Sequence, residues 1–320
     1  MKKDMMWAFW VNISNHMWDD DLSGNPNWYM PKTWQETNNV DWNSWDNIMK
    51  YIAELKFNTV LIDVGDGVKL DSHPEIAAPD AVSKEFLMKK LDEARALGLN
   101  PCPKLNFSTC HHQWLKEYSY MVGTQKYRDV ACEIISEVSE IFGKPAYFHL
   151  GMDEEDAIGC FNNRGFVSFR REKLLWKDFY TFFDAVEKNG SRPWVWSDYY
   201  WNNPDLFVKY MPKEVLQSNW YYGYFRDNMA PDSYGAKAIA AYEALDKLGY
   251  DQVPTSSTWN NNVNTIQTLY HGKKVISEEH LVGYMTAPWS QVEAYLENFQ
   301  KSDASVMYHG RELAYPETLE

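Results

Sequence analysis

The run Asn58-Thr59-Val60-Leu61-Ile62-Asp63-Val64 decides how this 320-residue sequence reads. Its apolar residues are consecutive rather than alternating and β-branched residues dominate it, the pattern of a strand buried on both faces of a parallel sheet. Upstream, residues 43–55 have helical periodicity, with Ile48, Ile52 and Leu55 on one face. Downstream, residues 83–97 read as a helix with Ser83 as N-cap and Gly98 as its stop. The alternation extends in both directions. Further strands are predicted at residues 6–13, 101–107, 146–152, 193–197, 215–220, 252–256 and 281–286. Helices are predicted at 125–142, 168–188, 206–210, 234–248, 265–270 and 290–299. Eight strands, each followed by helical sequence, predict an α/β fold, a single (β/α)8 TIM barrel over residues 1–320, with its active site at the C-terminal strand ends. A doubly wound open sheet would more often carry a Gly-rich phosphate turn after its first strand, and the sequence has none. There is no low-complexity linker and no tandem repeat of fixed period.

Composition narrows the partners. The formal net charge of -14 sets the chain against nucleic-acid backbones and anionic membranes. With 45% hydrophobic and 24% charged residues the chain reads as globular rather than disordered. No stretch reaches the roughly 20 apolar residues of a membrane span. Fifteen Trp, 21 Tyr and 15 Phe are more aromatic side chains than a core needs, and the surplus suits stacking on a flat, partly apolar ligand such as a sugar or a base. The charge weighs against the base. Cys102, Cys110, Cys132 and Cys160 form no C-x-x-C pair and no zinc framework, so free buried thiols, no metal and no cofactor are expected. Met1-Lys2-Lys3-Asp4 is followed by no apolar run of signal-peptide length, which fits a cytoplasmic chain or an exported one whose signal has been removed.

In a barrel the residues leaving each strand face one basin. These are Asn12 and Asn15; Asp63 and Asp66; Asn106, His111 and His112; Asp153, Glu154 and Glu155; Trp196 and Asp198; Asn219 and Trp220; Trp259, Asn260 and Asn261; Trp289 and Gln291. Amides and carboxylates bond hydroxyls and indole faces stack on sugar C–H surfaces, so this rim reads as carbohydrate-binding before phosphate-binding. Trp7, Trp10, Trp45 and Trp176 fall inside predicted elements and are assigned to the core, whereas Trp196, Trp220, Trp259 and Trp289 lie at strand ends and are pocket candidates. The sharpest motif is His149-Leu150-Gly151-Met152-Asp153-Glu154-Glu155. Adjacent carboxylates repel, so at least one pKa should rise, and a carboxyl so raised can serve as a general acid. A helix start would also explain the acidic run, since carboxylates favour the positive dipole end. Asp63 and Asp66 flank Gly65, which equally suits a turn. His111 and His112 lack the i, i+4 spacing of a helical zinc motif, and a hydrogen bond from one of them to a carboxylate is expected instead. Neither the nucleophile elbow G-x-S-x-G nor a P-loop is present.

As a set, these segments resemble the catalytic barrel of glycoside hydrolase family 20, the β-N-acetylhexosaminidases. His149-x-Gly151-Met152-Asp153-Glu154 resembles the family's H-x-G-G-D-E, with Met152 at the second Gly. Asp63-Val64-Gly65-Asp66 with His73-Pro74-Glu75 resembles the second-strand segment, residues 103–111 the third-strand P-E-I-D-M-P-G-H, and Trp196-Ser197-Asp198 the motif W-D-E. Residues 215–220 resemble the sixth-strand run ending in a pocket Trp, and residues 283–291 the last-strand G-x-x-x-x-x-W-x-E. The resemblance implies a retaining, substrate-assisted mechanism in which the 2-acetamido carbonyl attacks the anomeric carbon. Glu154 would act as acid and base and Asp153 would orient the acetamido N–H. Asp66 and His111 would form a tuning relay, supported by His149. Trp196, Trp220 and Trp289 would wall the pocket. The departures concern the sugar-gripping positions. The first-strand Arg is absent from Asn12-Ile13-Ser14-Asn15, Tyr-x-Asp is replaced by Trp259-Asn260-Asn261, the late Glu is Gln291 and the third-strand Asp is Asn106. Substrate contacts would then fall to Asn15, Trp196, Asp198, Trp220, Trp259, Asn261, Trp289 and Gln291. The expectation is retained chemistry with an altered sugar pocket. The alternatives are a catalytically silent carbohydrate-binding barrel, or a glycosidase using a conventional carboxylate pair from Asp153, Glu154, Glu155 and Asp198.

Overall fold

In the computed structural model, which describes residues 5–14, 36–155, 170 and 172–319, the apolar runs form the strands β1 (Met6–Asn12), β2 (Thr59–Asp63), β3 (Asn100–Lys104), β4 (Tyr147–His149), β5 (Arg192–Trp196), β6 (Leu216–Ser218), β7 (Thr255–Ser256) and β8 (Gly283–Thr286). All pairings are parallel, in the order β6-β5-β4-β3-β2-β1-β8-β7. Isolated parallel bridges Gln217↔Gln252 and Trp220↔Thr255 span the remaining gap between β6 and β7 and bring the sheet round on itself. This is the (β/α)8 barrel that the sequence predicts.

Alternation along each strand divides the apolar residues between two cores. Ala8 and Trp10, Leu61, Cys102, Trp194 and Trp196, Leu216 and Met285 form a cluster without helix residues, which fills the barrel. Trp7, Phe9 and Val11, Val60 and Ile62, and Val195 point the other way and pack with helix residues such as Ile48, Leu91, Ile134 and Phe182. Burying a large apolar side chain contributes about 1.5–3 kcal/mol, so both layers matter to stability.

The helices are α1 (Trp42–Glu54), α2 (Lys84–Ala96), α3 (Gln125–Ile141), α4 (Lys173–Lys188), α5 (Tyr199–Asn202), α6 (Pro204–Tyr210), α7 (Tyr234–Lys247), α8 (Asn264–Val275) and α9 (Glu297–Ala314). Ser83 caps α2 by accepting the Phe86 N–H at 3.2 Å, and Asp41, Thr124 and Ser233 cap α1, α3 and α7 in the same manner. The predicted helix at 168–188 begins in part outside the described residues, and α4 is seen from Lys173. Among the described residues, no helix is long and apolar enough to cross a membrane.

The last helix differs from its prediction. Residues 290–296 are not helical, and α9 runs instead from Glu297 to Ala314. Its buried face mixes Gln300, Asp303, Gly310 and Arg311 with Ala304, Met307 and Ala314, so no apolar stripe marks it. Asp303 is buried because it accepts from Thr258 Oγ1 and Thr286 Oγ1, both at 2.7 Å, which ties α9 to the ends of β7 and β8.

Candidate active site

The strand register sets a polar rung at the C-terminal mouth of the barrel. Asn12 pairs with Asp63, Asp63 with Lys104, and Lys104 with His149. Each stands two residues beyond a side chain of the barrel filling (Trp10, Leu61, Cys102 or Tyr147), so the rung faces inward. Lys104 is fully buried and ion-paired with Asp63. Burial raises the Asp63 pKa, with Lys104 acting in the opposite sense. His149 Nδ1 accepts the Gly151 N–H at 3.0 Å, which leaves the proton on Nε2. Burial, then the Lys104 charge, hold this imidazole well below its usual range, and it is neutral.

The motif beyond β4 is bent back on itself. Gly151 (φ +72), Met152 (φ +69) and Glu154 (φ +52) all occupy the left-handed region. A Cβ on Gly151 would lie 2.0 Å from Asn106 Oδ1, so glycine is required there. Met152 and Glu154 bear the strain of that conformation, and the neighbouring loops hold them in it. Ser108 Oγ donates to the Asp153 carbonyl, Cys110 Sγ lies 3.1 Å from the Glu154 carbonyl, and Asp198 Oδ2 accepts the Glu154 N–H at 2.8 Å. Residues 151–155 form no helix themselves.

Three carboxylates of this run have three environments. Asp153 Oδ1 accepts from Asn106 Nδ2 at 3.0 Å, and its Oδ2 lies 3.2 Å from His111 Nε2. Burial would raise its pKa, but the charge and hydrogen bond of His111 together with the charge of Lys104 hold it below the ordinary carboxylate range. Glu154 Oε2 is 3.0 Å from the same His111 nitrogen, and its side chain is 36% exposed against 13% for Asp153. Glu155 turns away. It is fully buried, paired with Arg170 at 2.8 Å, and receives the Thr109 N–H at 3.0 Å. Burial raises its pKa against the pull of Arg170. Arg170 also binds Asp178, which binds Arg128, a buried network that secures the loop to α3 and α4.

His111 is the hinge of the cluster. Burial alone would lower its pKa, but the charge of Asp153 and hydrogen bonds to Asp153 and Glu154 push it up to about 9. His111, Asp153 and Glu154 bring ligand atoms within 4.8 Å of one another. One imidazole nitrogen shared between two carboxylates also makes the trio a hydrogen-bonded acid–base cluster.

The aromatic surplus forms a continuous wall. His149 meets Trp196 at 4.6 Å between ring centroids, Trp196 meets Trp289 at 5.8 Å, Trp289 meets Tyr222 at 6.0 Å, and Tyr222 stacks on Trp220 at 5.0 Å. Trp10 supports Trp289 from within the barrel at 4.7 Å. Trp220 Nε1 donates to Asp198 Oδ1 at 3.3 Å. Gln291 is almost fully buried beside Asn12, and its Oε1 has no partner among the described residues.

Other candidates stand apart. Asp66 accepts from Ser14 Oγ at 2.7 Å and Asn38 Nδ2 at 3.3 Å, and no described hydrogen bond joins it to His111. The Asn261 amide donates to the Tyr222 carbonyl at 3.0 Å and accepts the N–H groups of Val263 and Asn264 at the start of α8. Among the described residues no ring contact joins Trp259 to the wall. Asn15 lies outside the described residues. The sequence reading missed Lys104, Arg170 and Tyr222. Tyr222 had a signal, the aromatic run Trp220-Tyr221-Tyr222 directly after the sixth strand, whereas the buried cations had none.

No protein-family model matches the chain, and no curated protein matches it significantly. Solved structures do match. The family 20 exo-β-N-acetylglucosaminidase of Vibrio harveyi, in complex with N-acetylglucosamine, is 12% identical with a TM-score of 0.61, over 98% of this chain and 57% of that one. The chitobiase of Flavobacterium johnsoniae is 14% identical with a TM-score of 0.64, over 98% of this chain and 52% of that one. The family 20 β-N-acetylhexosaminidase of Streptomyces coelicolor A3(2) is 11% identical with a TM-score of 0.61, over 97% of this chain and 69% of that one. The chain therefore has the fold of the catalytic barrels of glycoside hydrolase family 20, at low identity, and spans little more than half the length of the first two of these proteins.

Proposed function

We propose that this chain is a divergent glycoside hydrolase of family 20, with residues 1–320 acting as one catalytic domain on a terminal β-linked N-acetylhexosamine or a closely related sugar. The observation that carries the reading is the cluster His111–Asp153–Glu154, with one imidazole nitrogen 3.0–3.2 Å from both carboxylates at the barrel mouth. Glu154, the most exposed of the three motif carboxylates, protonates the leaving glycosidic oxygen. The acetamido oxygen of the substrate attacks the anomeric carbon as that C–O bond breaks, giving a cyclic oxazolinium-like intermediate. Asp153, held ionised by His111 and Lys104, accepts the acetamido N–H and stabilises the developing positive charge. Glu154, now deprotonated, takes a proton from the water that opens the ring with net retention. Trp196, Trp220, Trp289 and Tyr222 enclose the sugar and its acetamido group. His149 and Asp198 support the site and Gln291 borders it; Asp66, Trp259 and Asn261, which stand apart from the cluster, and Asn15 are further candidates for contact with the sugar.

Glu155 is withdrawn into its ion pair with Arg170, which weakens the reading of a conventional carboxylate pair that includes it. The test is hydrolysis of 4-nitrophenyl N-acetyl-β-glucosaminide and N-acetyl-β-galactosaminide, with the corresponding glucoside lacking the acetamido group as comparison. Turnover is expected for an acetamido sugar and not for the glucoside, with a loss of at least about 10²-fold in Glu154→Gln on substrates whose leaving group needs a proton. Equal turnover of the glucoside refutes acetamido assistance. Glycan binding that survives Glu154→Gln, with no turnover by the wild type, identifies a carbohydrate-binding barrel instead.

A further inference from the structure

We infer that Asp198 is a positioning residue, a single carboxylate that fixes the backbone of the acid–base residue and one wall of the pocket together, rather than a ligand of the sugar. The inference rests on the reading of Glu154 as the acid and base. Asp198 follows β5 and is 7% exposed. Its two oxygens are engaged with two N–H donors from the neighbouring strand ends. Oδ2 takes the backbone N–H of Glu154, beyond β4, at 2.8 Å. Oδ1 takes the indole N–H of Trp220, beyond β6, at 3.3 Å. One side chain thus ties together the ends of three successive strands.

Each bond answers a local need. Glu154 sits at φ +52, where a non-glycine residue remains only if its surroundings hold it there. Removing the acceptor on its N–H frees that peptide to relax, and the Glu154 carboxylate then leaves its 3.0 Å contact with His111. The Trp220 ring lies against Trp201 at 4.8 Å, and Trp201 is itself anchored by its Nε1 bond to Asn219 Oδ1 at 2.8 Å. The Asp198 bond fixes the polar edge of the Trp220 ring, whose faces are already held by Trp201 and Tyr222. A carboxylate suits this post because it accepts at both oxygens, whereas an amide must turn its NH2 toward one of the two donors.

The experiment compares wild type, Asp198→Asn, Asp198→Ala and the double variant Asp198→Asn/Trp220→Phe. In Asp198→Asn the amide NH2 opposes a donor, and kcat is expected to fall about 10- to 100-fold with KM changed less than about threefold, as for a misplaced catalytic group. Replacing Trp220 by Phe removes the opposing N–H while keeping a ring. The double variant should therefore recover several-fold in kcat over Asp198→Asn. A rise in KM with kcat intact assigns Asp198 to the sugar and overturns the inference, and a double variant no better than Asp198→Asn overturns the part of it that concerns Trp220. A second readout needs no turnover. Amide hydrogen exchange at Glu154 should be slow in the wild type and faster by at least about tenfold in Asp198→Ala or, if that variant does not fold, in Asp198→Asn, with β2 unchanged. Unchanged exchange at Glu154 overturns the positioning role. Slow exchange that is lost in the variants of a protein without turnover upholds the clamp and refutes the hydrolase reading alone.

Discussion

Met152 occupies the place of a glycine in H-x-G-G-D-E and is both strained and buried, so its replacement sets two effects against each other. Its φ of +69 lies in the left-handed region, where a non-glycine residue costs about 1–2 kcal/mol. Its side chain is fully buried, with Sδ 3.7 Å from Arg170, and truncating a buried Met costs about 2–5 kcal/mol. Glycine removes the strain but loses the packing, and it adds about 0.5–1 kcal/mol of unfolded-state entropy. Packing is the largest of these, so Met152→Gly should destabilise the fold by about 3 kcal/mol. In a domain of this size that lowers Tm by roughly 5–10 °C. Met152→Ala loses nearly the same packing and keeps the strain, so it should melt below Met152→Gly by about 1–3 °C. Thermal unfolding followed by circular dichroism, at one pH and scan rate, measures all three proteins. A Met152→Ala variant at least as stable as Met152→Gly would refute the strain argument, and a Met152→Gly variant more stable than wild type would refute the packing argument.

Two further outcomes follow from the charges at the barrel mouth. His111 has its pKa raised from 6.5 to about 9, so its protonated form contributes stability that is complete below about pH 6.5 and is lost as pH rises through 9. The shift corresponds to about 3 kcal/mol. The Tm difference between wild type and His111→Gln should therefore shrink by several degrees between pH 6.5 and pH 9.5, and a difference independent of pH counts against an imidazolium at this position. Lys104→Met strands the buried Asp63 carboxylate and should cost about 3–5 kcal/mol. Lys104→Met/Asp63→Leu should recover most of that stability by chemical denaturation, and a double variant no more stable than Lys104→Met counts against a stranded carboxylate.

The barrel was legible because Val60-Leu61-Ile62 and its counterparts recur as short apolar runs between helical stretches, the pattern of strands buried on both faces. The polar buried face of α9 concealed that helix, since Asp303 becomes an interior residue only once Thr258 and Thr286 are beside it. The Asp-Glu motif could be found by its adjacent carboxylates, yet their roles could not. Glu155 has the same chemistry as Glu154, and Arg170, fifteen residues later, with Thr109 makes one internal, whereas the other stays partly exposed at the barrel mouth. Within the motif the carboxyl pKa that rises is that of Glu155, through burial rather than the expected repulsion between neighbours, and outside it burial and then the charge of Asp153 raise that of Asp198. Asp153 moves the other way because His111 and Lys104 stand against it. Lys104 was hidden by its position inside a strand, where sequence alone pairs it with nothing.

The rung Asn12–Asp63–Lys104–His149 has a consequence for how the site tolerates change. A reaction in bulk water must reorient solvent dipoles each time charge develops at a reacting atom. Here the field beneath Asp153 is set by groups that the hydrogen-bonded register of the sheet holds in place, so the proposed reaction would need little rearrangement as charge develops beside Asp153. The free energy of bringing those charges together is met once, at folding. Substitutions in this rung that make the barrel more stable should therefore flatten the field, and improvement of the fold and improvement of the catalyst pull in opposite directions at these positions.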